Sequence, residues 1–154
     1  QTARQEVPVL FNQLDEDSRR LVVRGDIKQW NQLLAEAARN AGVITADEFA
    51  VFQNAGYMGL YGGMTVDDIH RKKNLEVGQK ILDYMGSTEL IANLFRISQT
   101  EEKLRKDSVN SADTATAAHY KYGKPLKKSA VQCQKICLLP KRALHSWKRN
   151  SSSD

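Results

Sequence analysis

The chain has 154 residues, 41% of them hydrophobic and 27% charged, which is enough for one modest core. Its apolar stretches are interrupted far short of the ~20 residues a membrane span requires. The net charge of +5 is unevenly placed: residues 1–123 carry 15 Lys and Arg against 17 Asp and Glu, and residues 124–154 carry 8 against 1. An electrostatic case for nucleic-acid binding therefore rests on the tail alone.

Residues 1–40 mix apolar and charged residues at helical spacing. They predict a helix from about Asp17 to Asn40, weakened at Gly25, with Leu14, Leu21, Val22, Trp30, Leu33, Leu34 and Ala37 as core candidates. Pro8 belongs in a turn, and Gly42 suits the left-handed residue that closes a helix. Thr45 and Glu48 form a capping box, from which a short helix through Phe49, Phe52 and Tyr57 is expected. Gly56, Gly59, Gly62 and Gly63 should end it and allow close backbone approach. No Gly-Lys-Ser/Thr follows, so this is no phosphate loop.

Thr65 with Asp67 and Asp68 starts another helix, with His70, Arg71, Lys72 and Lys73 at its far end. Acids first and bases last complement the helix dipole. A further helix is expected from Leu75 to Met85, closed by Gly86. Ser87 should cap the next, which buries Leu90, Ile91, Leu94, Phe95 and Ile97 and continues through Arg105. Residues 111–122 extend a last helix to about Gly123. With no alternating strand pattern, the expectation is an all-α, irregular bundle of about five helices, with a Gly-rich connecting loop and a poorly ordered tail.

For chemistry, Asp67, Asp68 and His70 are the one acid and histidine cluster in the body, and paired carboxylates with a general base would suit a metal-dependent nuclease. Consecutive Asp residues diverge by about 100° on a helix, a poor grip for one ion. His119 stands alone and reads as structural. Cys133 and Cys137, even with His145, fall short of the four ligands of a structural zinc site. No catalytic or metal residue and no cofactor is therefore assigned. The candidate contact surface is Tyr57, Tyr61, His70, Arg71, Lys72 and Lys73, cations beside aromatic rings that would suit phosphate and base stacking.

The runs GYMGLYGG (56–63), DIHRKKNL (68–75) and DYMGSTELIANLFRISQTEEKLRKD (83–107) resemble the DNA-damage-inducible protein D family of bacteria, with a looser likeness from Gln1 to about Gly123. The resemblance implies a cytoplasmic, non-enzymatic protein of the SOS response that modulates recombination, with a RecA-type recombinase filament and DNA as partners. It brings no catalytic residues to carry over. It also implies an additional amino-terminal domain of Bro-N type that this sequence does not include. The units expected are a helical arm over residues 1–44, a helical core over 45–123 and a basic tail over 124–154. Such proteins continue with a segment like IGGTMPEDLPTP where this chain has SAVQCQKICLLP, and back-translation read one base earlier restores that segment, so the tail is expected to be out of frame. Self-association through the long helices 17–40 and 87–107 is a further expectation.

Overall fold

A computed structural model describes residues 11–124. Its elements are α1 (Glu16–Asn40), α2 (Ala46–Leu60), α3 (Val66–Lys72), a 3-10 turn (Ile81–Tyr84), α4 (Ser87–Lys106) and α5 (Ala112–Gly123). There is no strand among the described residues, and the fold is all-α, as the periodicity predicts. No described helix is long and apolar enough to cross a membrane. The expected tail, with Cys133, Cys137 and His145, lies outside the described residues, as does Pro8.

The starts of α1, α2, α3 and α5 have local causes. The Asp15 carboxylate accepts from Ser18 N at 2.8 Å to open α1. Thr45 with Glu48, and Thr65 with Asp68, form reciprocal capping boxes on α2 and α3. Ser111 accepts from Thr114 N to open α5. α4 is different: its N-cap is Gly86, not Ser87, and the cap comes from another helix. The Glu16 carboxylate accepts from both Ser87 N and Ser87 Oγ at 2.8 Å. Gly86 therefore begins a helix and does not close one. α1 runs unbroken through Gly25 and stops before Gly42, whose φ of 105° is the expected left-handed stop.

α1 and α4 run parallel along one wall: their starts meet at Glu16 and Ser87, and their last turns flank a common groove. α2 packs against α5 on the other side, with α4 touching both. Val23, Ile27, Leu34 and Ala38 of α1 join Phe52, Leu60, Ile69, Leu90, Ile97, Leu104 and Ala115 in one core, so α1 is a wall of that core and not an arm beside it. Of the expected core candidates, Leu34 is buried and Trp30 and Ala37 pack against the core, whereas Leu21, Val22 and Leu33 of α1, and Leu14 before it, are exposed. On α4, Ile91 and Phe95 likewise face solvent, while Glu89, Asn93, Arg96 and Thr100 are buried.

Two expectations about the middle of the chain need correction. The glycine-rich run does not end regular structure at Gly56, because α2 continues through Gly56 and Gly59 to Leu60. Nor is there a helix from Leu75 to Met85. Asn74 (φ 54°) and Gly78 (φ 88°) adopt left-handed conformations that break it, leaving the 3-10 turn alone.

Candidate functional site

The glycines in α2 serve packing. A Cβ at Gly56 would overlap the His119 imidazole, one at Gly59 would overlap the Tyr120 carbonyl, and one at Gly123 would lie 2.7 Å from the Gly56 carbonyl oxygen. α2 and α5 thus meet backbone to backbone, and His119 is drawn under α2.

That contact terminates a chain of buried polar side chains. Glu89, Asn93 and Arg96 follow one another at spacings of four and three, one above the other on the inner face of α4. Lys73, just past α3, places Nζ 2.9 Å from Glu89 Oε2, both side chains buried, and donates also to the Tyr84 carbonyl at 3.4 Å. Tyr61 of α2 donates its hydroxyl hydrogen to Glu89 Oε1 at 2.7 Å and accepts from Asn93 Nδ2 at 3.1 Å. Asn93 Oδ1 accepts from Arg96 Nε and Nη2 at 3.3 and 3.2 Å. Arg96 Nη1 reaches His119 Nε2 at 2.7 Å, and the opposite ring nitrogen, Nδ1, lies 2.8 Å from the Phe52 carbonyl oxygen. The Arg96 guanidinium also lies 4.5 Å from the centre of the Tyr57 ring.

This geometry sets the protonation of His119. A carbonyl oxygen can only accept, so Nδ1 carries the hydrogen and Nε2 is the lone pair that accepts from Arg96. Burial, reinforced by the Arg96 charge, pushes the imidazole down to about 3, against a smaller opposing pull from the Phe52 carbonyl. Burial also lowers the pKa of Arg96, with Tyr57 and Tyr61 opposing it, yet a guanidinium remains charged at neutral pH. The result is a charged arginine held by an amide, a neutral imidazole and an aromatic face. Every one of these groups is sealed from solvent, and each is engaged by another element. Chemically the network joins α2, the end of α3, α4 and α5.

The six residues expected to share a contact surface are divided by the fold. Tyr57, Tyr61 and Lys73 are buried, and all three belong to the network. His70 is half-buried, with Nε2 3.0 Å from the Gln79 carbonyl oxygen. Only Arg71 and Lys72 are exposed, and Arg71 pairs with Asp68. Asp68 is also committed to the capping box, and its carboxyl is held below the ordinary range first by the Thr65 amide and then by Arg71. Asp67 is exposed on the first turn. Among the described residues no three His, Cys, Asp or Glu side chains gather where a metal ion could bind. Sequence reasoning passed over Glu89, Asn93 and Arg96. Their signal was a polar series at helical spacing between apolar neighbours.

Residues 14–139 match the model of the DinD C-terminal domain. The chain belongs to the DinD C-terminal domain family. It is 53% identical over 131 residues to DNA damage-inducible protein D of Escherichia coli (strain K12). The alignment covers 84% of this chain and 48% of that relative, so the chain spans about half the relative's length. No solved structure matches. The runs on which the resemblance to the DinD family rests are the same runs that build the network: Gly56, Tyr57, Gly59 and Tyr61 in the first, Lys73 in the second, Glu89, Asn93 and Arg96 in the third.

Proposed function

We propose that the chain is the contact-making part of a DNA damage response protein. It acts without catalysis, in the cytoplasm as part of the SOS response, and modulates recombination by binding a RecA-type recombinase filament or the DNA that filament holds. The observation that carries this reading is the 53% identity to a protein named for its induction by DNA damage. The internal chemistry supports a non-enzymatic role. Of the acids and histidines that could run a reaction, Glu89 pairs with Lys73, His119 with Arg96, and Asp68 with Thr65 and Arg71, while Asp67 is exposed.

The test is strand exchange by a RecA-type recombinase, with and without the purified chain and its full-length relative. A changed exchange rate at constant DNA length is the expected result. Labelled single-stranded and branched DNA incubated with Mg²⁺ should stay intact. Cleavage that Asp68→Ala abolishes would replace this reading with the nuclease one.

A further inference from the structure

We draw no further inference here: the strongest candidate, the cavity between the last turns of α1 and α4, is lined by the carboxylates of Glu36 and Glu101 and by the Arg105 guanidinium alike, so its charge selects no ligand and nothing in the structure shows what covers it.

Discussion

Gly56 and Gly25 both sit inside helices, and their surroundings predict opposite outcomes on substitution. Gly56→Ala drives a methyl group into His119 and should cost about 2 kcal/mol or more, as overpacking of a tight site does. Gly25→Ala meets nothing within 4 Å and should stabilise α1 by about 0.5–1 kcal/mol. Urea midpoints of the two variants against wild type check both signs. At the buried ion pair, Glu89→Gln leaves Lys73 charged in the core. It should cost about 3–5 kcal/mol, much of it recovered when Lys73→Met is added. His119 predicts a pH dependence. Its folded pKa, about 3, lies below the ordinary value of 6.5, so between those limits the unfolded chain binds the extra proton. The contribution of His119 is complete above pH 6.5 and is lost as pH falls toward 3, at up to about 1.4 kcal/mol per pH unit. Urea midpoints at pH 7 and pH 5.5 should converge in His119→Gln relative to wild type, and an unchanged difference would contradict a neutral buried imidazole. The sequence made His119 legible as structural, because it stood apart from other acids and bases. Arg96 was not legible: only the approach of α5 to α2 supplies its acceptor.

The helices differ in how local their causes are. Thr45 and Thr65 announce α2 and α3, since a capping box is complete within four residues, and both starts were legible. α4 was placed one residue late. Ser87, Thr88 and Glu89 look like a self-contained cap, whereas the cap is the carboxylate of Glu16, 71 residues away. Glu16→Ala should therefore destabilise α4, though it lies on α1, by about 1–2 kcal/mol, the range of a lost helix cap. Thermal melts should show that loss, and a Ser87→Ala background should shrink it because one of the two bonds is then already missing. The helix expected from Leu75 to Met85 failed for the converse reason. Apolar Leu75, Val77, Ile81 and Leu82 suggest a helix, but Asn74 and Gly78 accept left-handed backbone and the chain takes that route. α1 was found at nearly its true length and its buried face only in part: Leu34 lies in the core as expected, whereas Leu21, Val22 and Leu33 are exposed.

At the scale of the molecule, the sequence runs that mark the family and the side chains that hold the helices together are largely the same. Glycines in α2 admit His119, and His119 accepts Arg96. Arg96 is bound to Asn93, and Asn93 through Tyr61 to the Glu89–Lys73 pair. Polar networks of this kind favour one arrangement of helices over its competitors when every member is satisfied. Family membership was legible from three short runs, because they encode the network. The contact surface was not, because aromatic and basic residues close in sequence were assigned to the outside when Tyr57, Tyr61 and Lys73 are what the inside is made of.

The measurement that bears most directly on the account compares the wild type with Asp68→Asn in a strand-exchange reaction driven by a RecA-type recombinase, using the full-length protein. Action by contact without catalysis predicts that Asp68→Asn alters exchange as the wild type does. Loss of the effect in Asp68→Asn, with its helix content intact, would contradict it and move the function to the acid cluster on α3.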